Sequence, residues 1–144
     1  MRLARRLANL VEQHELGAVF GAETGFVLAR DPDTVLAPDV AFVRTDRLPA
    51  VAVPGFFPGP PDLAVEVLSP SDSAAEAARK ARSWVAHGTR LVWIVDPVAR
   101  SVAVHRPRAD VRVLGVDDML TGGQVVRGFR VTVSDLFPHG FLQP

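Results

Sequence analysis

A glutamate inside an apolar segment is the residue of this sequence whose type and position could most clearly do chemistry. Between Asp62 and Leu68, Glu66 is the only internal charge. A continuous apolar run of this length is typical of a strand covered on both faces, so Glu66 is expected to be buried. A buried carboxylate is unstable without a cation, which leaves two interpretations. Glu66 either forms an ion pair with an arginine such as Arg82 or Arg90, or has a metal-binding or catalytic role.

Two aspartates could act together with Glu66. Asp39 follows Pro38 and opens an apolar stretch that predicts another strand, although an aspartate there could also simply make local turn hydrogen bonds. If the two strands are neighbours, Asp39 and Glu66 could share Mg²⁺ or Mn²⁺, because hard cations take oxygen ligands and often need only one or two carboxylates. Asp62 lies about 13 Å along the strand from Glu66, so only a supporting role is expected for it.

Lys80 is the only lysine among the 16 basic residues of the chain. It lies about two turns into the helix predicted after Glu66, and this helix could return over the strand. Lysine offers a compact charge and a pKa that can fall when the amine is desolvated. Lys80 could therefore orient or deprotonate a water molecule, or stabilise charge that develops on a phosphate. A chance position on a helix surface is the alternative.

The hydrophobic pattern predicts the elements that would position these residues. Apolar residues at helical spacing predict a helix over residues 2–14, and Ser73 and Gly88 are expected to bound a second helix. Residues 49–61, rich in proline and glycine, predict a loop. A short helical turn is expected at residues 134–137. Strands are expected at residues 19–29, 35–43, 62–68, 90–95, 101–105, 111–116 and 129–133.

This order of elements predicts one α/β domain over residues 1–144, a mixed sheet flanked by helices. A hairpin between the first two strands would place Glu23 roughly opposite Ala41 and on the same face as Asp39. In the proline-rich loop, Phe56 and Phe57 would fill the core or form a contact surface, and we favour the core.

The composition limits the classes of protein to which the chain could belong. It contains no cysteine, which excludes disulfides and thiolate metal sites. No segment has the roughly 18 consecutive apolar residues of a membrane helix, and no signal peptide is evident, so a cytoplasmic location is expected. The formal net charge of +0 counts against tight non-specific DNA binding, but it allows a local basic patch.

Several pieces of the sequence resemble the Uma-type family of endonucleases. This family is placed in the PD-(D/E)XK superfamily, which has the restriction-endonuclease fold. The resemblance extends from about Leu3 to Phe137, and its most specific part is the run from Pro61 to Ser71. The matching pieces are Pro38-Asp39, residues 61–72, Lys80, residues 92–97, residues 128–131 and Leu136-Phe137.

The resemblance implies which residues form the site. Asp39, Glu66 and the backbone carbonyl of Val67 would bind the metal, and Lys80 would assist catalysis. The usual lysine position of the superfamily, two residues after the carboxylate, is Leu68 here, so Lys80 would act from the following helix instead. Family members carry an additional N-terminal stretch with an acidic residue. This chain begins at the first helix, and Glu12 or Glu23 could substitute for that residue.

The function implied is that of a Mg²⁺-dependent endonuclease that hydrolyses DNA phosphodiester bonds. Arg79, Arg82 and Arg90 are expected to lie near the site and to contact phosphates. Exposed strand edges predict a homodimer. The alternative is an inactive nuclease-fold module that binds DNA or another protein.

Overall fold

The apolar segments of the sequence form the strands of a central mixed sheet. A computed structural model describes residues 2–50 and 55–138 of the chain. Its helices are α1 (Arg2–Gln13) and α2 (Ala74–Ala86), with short 3-10 turns at Thr45–Arg47 and Val133–Leu136. Its strands are β1 (Gly17–Phe20), β2 (Gly25–Ala29), β3 (Thr34–Leu36), β4 (Val40–Arg44), β5 (Phe56–Pro58), β6 (Leu63–Val67), β7 (Leu91–Asp96), β8 (Ser101–His105), β9 (Arg112–Leu114), β10 (Met119–Thr121) and β11 (Arg130–Thr132).

The central sheet has six strands in the order β1-β4-β6-β7-β8-β9. β6 and β7 are parallel, and the other neighbouring pairs are antiparallel. A parallel pair needs a crossover connection, and α2 provides it between β6 and β7. This connection brings α2 back over the strand that carries Glu66, as expected from the sequence.

The two faces of the central sheet are covered by different elements. On one face, α1 buries Leu3, Leu7 and Val11 against alternate residues of the strands, and the β10–β11 hairpin extends this layer. On the other face, α2 buries Ala81 and Trp84 together with a second, three-stranded sheet in the order β3-β2-β5. Because side chains alternate across a strand, β4, β6 and β7 contribute to both layers and are almost entirely buried.

The long strands predicted at residues 19–29 and 35–43 are wrong, because each is divided into two. The chain turns at residues 21–24 and 37–39, so that β1 and β4 pair in the central sheet while β2 and β3 pair in the small one. Because β2 leaves the central sheet after this turn, Phe26 can be fully buried. The centroid of its ring lies 6.3 Å from that of Trp84. Apolar patterning alone does not distinguish one long strand from two short ones.

The predicted loop at residues 49–61 contains the short edge strand β5, which pairs in parallel with β2. Phe57 is buried and Phe56 is 54% exposed, so only one of the two fills the core. Residues 51–54 lie outside the described residues. β10 was not predicted, since only Leu120 of its three residues is buried. No helix in the described parts of the chain is long and apolar enough to cross a membrane.

Candidate active site

Strand pairing places Asp39 and Glu66 side by side. β4 and β6 are antiparallel, with Ala41 opposite Ala64. Continuing this register by two residues along each strand places Asp39 opposite Glu66, and residues directly opposite in an antiparallel pair lie on the same face. Ala41 and Ala64 pack in the layer beneath α2. Both carboxylates therefore belong to the face of the sheet that α2 covers.

The Asp39 carboxylate is fixed by the backbone of the neighbouring strand. The backbone N–H of Val67 donates a hydrogen bond of 2.7 Å to Asp39 Oδ2. This bond joins two strands, so it differs from the local turn hydrogen bond that was the simpler interpretation of Asp39. The other carboxylate oxygen of Asp39, Oδ1, has no hydrogen-bond partner among the described residues. Asp39 is half-buried, and the described residues satisfy only one of its two carboxylate oxygens.

Glu66 is buried, with only 7% of its surface exposed, as the sequence predicted. Trp84 Nε1 donates a hydrogen bond of 3.0 Å to Glu66 Oε2, and Lys80 Nζ lies 3.5 Å from Glu66 Oε1. Burial raises the pKa of Glu66, and the Asp39 carboxylate adds to this effect, while the Trp84 hydrogen bond and the Lys80 charge oppose it. The ion pair with an arginine, considered from the sequence, is not found among the described residues.

Lys80 reaches Glu66 from the helix, as expected. It lies one turn before Trp84 on α2, and residues four apart share a helix face, so one face of α2 presents both donors to the carboxylate. Ser73 fixes the start of this helix, because its side chain accepts a 3.0 Å hydrogen bond from the backbone N–H of Glu76. The Lys80 side chain remains 46% exposed, so its amine lies where the site meets solvent.

A small cavity of about 100 Å³ opens beside these residues. It is lined by Glu66, Val67, Leu68, Asp72, Glu76, Ala77 and Lys80. Hydrogen bonds from the backbone N–H and the hydroxyl of Ser69 to Asp72 lower the pKa of Asp72, and the charge of Lys80 contributes. Asp72 is therefore held as an anion near the lysine.

Sequence reasoning missed Trp84, Asp72 and Glu76 as residues of this site. Trp84 was overlooked because a tryptophan on an alanine-rich helix face indicates core packing, which is also what it does. Its position one turn after Lys80 was the signal that could have found it. Asp72 ends the run of residues 61–72 that resembles the family, but no role in the site was predicted for it.

The donor set fits a hard divalent cation such as Mg²⁺. Asp39 and Glu66 supply carboxylate oxygens on one face, and the backbone of Val67, the residue after Glu66, contacts Asp39. Within the described residues, no group of three or more His, Asp or Glu side chains could enclose a metal. Two carboxylates suffice for Mg²⁺, which usually keeps several waters and takes further ligands from substrate phosphates. The raised pKa of Glu66 indicates that Lys80 compensates its charge incompletely.

The two supporting carboxylates lie elsewhere. Asp62 is buried at the start of β6, where it forms a 3.1 Å ion pair with Arg47 and accepts a 2.8 Å hydrogen bond from the backbone N–H of Arg44. It stabilises the far end of the strand. Glu23 is exposed in the turn after β1, and Phe20 rather than Glu23 is opposite Ala41. The predicted placement of Glu23 is therefore wrong.

The three arginines expected near the site are not brought together. Arg79 is exposed on α2 beside Lys80. Arg82 faces β8, where its charge adds to the effect of burial in lowering the pKa of His105. Arg90 precedes β7, which is parallel to β6, so it lies about 13 Å from Glu66 along the strand direction. Glu12 is on α1, which packs against the opposite face of the sheet.

The raised pKa of Glu66 predicts how stability depends on pH. The folded protein binds a proton at Glu66 more tightly than the unfolded chain does, so this stabilisation is present at low pH and is lost as the pH rises through the folded pKa. In metal-free buffer, the free energy of unfolding of the wild type, measured relative to E66Q, should fall as the pH rises above the ordinary glutamate pKa of 4.5 and level off above the folded pKa. Urea denaturation measures this difference, and a constant or rising difference would contradict the prediction.

Comparisons with known proteins agree with this architecture. The family described as "Uma2: Putative restriction endonuclease" matches residues 1–134. The chain is also similar to the crystal structure of "a putative nuclease belonging to DUF820" from Anabaena variabilis ATCC 29413, with 22% identity and a TM-score of 0.83, covering 94% of this chain and 75% of that one. No curated protein matches. The structural similarity confirms the restriction-endonuclease-like fold, and the family match shows that the chain belongs to the Uma2 family.

Proposed function

We propose that the protein is a metal-dependent nuclease that hydrolyses phosphodiester bonds of DNA. The observation that carries this proposal is the buried Glu66, which contacts Lys80 and lies opposite Asp39 near the end of a central strand. A purely structural carboxylate would be expected to pair fully with an arginine, whereas Glu66 meets an exposed lysine amine 3.5 Å away and an indole N–H. The membership of the Uma2 family supports the same activity.

A divalent cation would make this site compatible with a phosphate. Three carboxylates and one amine line the small cavity, so a phosphodiester alone would be repelled. Asp39 and Glu66, with the backbone carbonyl of Val67, would hold Mg²⁺, or Mn²⁺ in its place. Such an ion lowers the pKa of bound water and polarises a phosphate oxygen.

Lys80 would act at the solvent side of the site. Its ammonium group has three donors, so it can contact Glu66 and still bind a water molecule or a phosphate oxygen. In this position, the amine orients the water and offsets negative charge that develops on the phosphate. Trp84 is a positioning residue, because its hydrogen bond fixes the orientation of the Glu66 carboxylate.

Arg79, which is exposed and adjacent to Lys80 on α2, would extend the contact with DNA. Arg82 faces β8, so it would not contact the same phosphate. Phosphate contacts of this kind position a nucleic acid without reading its sequence. Arg90 lies too far from Glu66 to contact the same phosphate.

The proposal predicts metal-dependent nicking of plasmid DNA by the wild-type protein. K80A and E66Q should each lower the rate by at least about 100-fold, a typical effect of losing an electrostatic or acid–base contribution. R5A is the matched control, because Arg5 is an exposed cation on α1, on the opposite side of the sheet, and it should leave the rate unchanged.

Gel assays in Mg²⁺ and in Mn²⁺, with chelator as the blank, measure these rates. If folded wild-type protein cannot nick DNA in either metal, or if K80A retains the wild-type rate, the proposal is wrong. Salt-sensitive DNA binding without nicking would favour the alternative of an inactive DNA-binding module.

We also propose that the protein forms a homodimer through β9. This strand ends the central sheet, so one edge of its backbone is unpaired there. Val111 and Val113 at this edge are 50% and 68% exposed. An exposed apolar edge is a template for pairing with a second copy, and a dimer would present two sites to the two DNA strands.

Light scattering after size-exclusion chromatography tests the dimer. V113K should shift the protein to a monomer, because a lysine opposes edge pairing. V98K is the matched control, since Val98 is an 85% exposed valine in the turn between β7 and β8. A monomeric wild type, or a V113K variant with the mass of the wild type, would exclude this interface.

A further inference from the structure

A second cavity, of about 570 Å³, lies away from the carboxylates. One wall is formed by the ends of β7, β8 and β9, and the other by β10 and the turn that follows it. Volumes of this size are typical of pockets for small ligands and cofactors. It is several times larger than the cavity beside Glu66, so it can hold a molecule rather than a single ion.

Four arginines surround this cavity. Continuing the register of β7 and β8 by one residue places Arg106 opposite Leu91, and Arg112 on β9 is directly opposite Val104. Arg106 and Arg112 therefore share the face of the sheet on which Val104 and Leu91 lie. Arg90 and Arg108 complete the set.

None of these four arginines has a carboxylate partner among the described residues. The ion pairs that the structure contains involve Arg30, Arg44, Arg47 and Lys80. No aspartate or glutamate lines the cavity. The four arginines make the potential around this cavity positive, although the chain has a net charge of +0. An anion in the cavity would be attracted by all four.

The floor and the opposite wall of the cavity have a different character. Leu91, Leu114 and Leu120 form an apolar floor, while Thr121 and Gln124 offer polar side chains on the wall. A ligand that fits this cavity has an anionic group for the arginines and a flat, weakly polar group for the apolar floor. Arginine forks suit phosphate oxygens, and guanidinium planes also stack on rings.

We propose that this cavity binds the phosphate and base of a nucleotide, either free or as one unit of a single strand. The site is independent of the carboxylates. Leu91, Val104 and Leu114 face the α1 side of the sheet, whereas Glu66 faces α2. Arg90 is also at the other end of the parallel strands from Glu66. A nucleotide held here therefore does not contact the carboxylates.

The backbone at Arg108 allows its side chain to be removed without strain. Its φ of 54° is in the left-handed region, which favours glycine or asparagine in a tight turn. Arg108 is among the residues that line the cavity. The variant R108G suits the backbone better, so it should fold at least as well as the wild type while it loses a ligand contact.

Calorimetry with ADP and fluorescence anisotropy with a labelled single-stranded DNA oligonucleotide test the proposal. Saturable binding of either probe is expected, with at least a tenfold loss in R106A/R112A and a smaller loss in R108G. R127A/R130A is the matched control, because both arginines are exposed in the β10–β11 hairpin and neither lines the cavity. Binding of both probes should persist in chelator, because no carboxylate lines this cavity, and this separates the site from the proposed metal-dependent nuclease site.

The two probes distinguish the sources of the ligand. Equal binding of ADP and the oligonucleotide indicates a free nucleotide, and much tighter binding of the oligonucleotide indicates a strand. In the second case, the salt dependence of R106A/R112A should be shallower by about two log–log units. The proposal is overturned if neither probe binds, or if R127A/R130A weakens binding as much as R106A/R112A does.

Discussion

The structure depends on keeping one carboxylate inside a sheet. Glu66 is on a central strand whose neighbours are apolar, and moving a charge out of water is costly unless nearby groups compensate. Here the compensation comes from one face of α2, which supplies the indole N–H of Trp84 and the amine of Lys80. Because burial still raises the pKa of Glu66, the protein retains a carboxylate that gains stability from a further cation.

The topology explains how three residues far apart in the sequence meet. The antiparallel register of β4 and β6 brings Asp39 beside Glu66, and the parallel pairing of β6 with β7 requires a crossover that returns α2 over the same place. The second face of the sheet is used differently. There the strand ends and the β10–β11 hairpin enclose the arginine-lined cavity, so the two faces of one sheet separate an acidic region from a basic one.

Much of the site could be predicted because its residues are unusual in their surroundings. A charge in an apolar strand identified Glu66, and a single lysine among arginines identified Lys80. Asp39 could be placed beside Glu66 only on the condition that their two strands are neighbours. The pairing of β4 with β6 meets this condition. The turn that divides the first predicted strand could not be seen, since burial of Phe26 against Trp84 is a long-range packing effect. Arg90 was expected near Glu66, but it lies at the opposite end of the parallel strands β6 and β7. The sequence does not show the direction of β7 relative to β6, so this position could not be predicted.

The proposed nuclease activity depends on Asp39 and Glu66 binding one divalent cation beside Lys80. Crystals grown or soaked with Mn²⁺, with diffraction data collected at the manganese absorption edge, test this site. We expect one anomalous peak within coordination distance of both carboxylates, about 2.0–2.3 Å from an oxygen of each, which is absent in crystals of D39N. A peak only at other positions, or none in well-ordered crystals, would exclude the site.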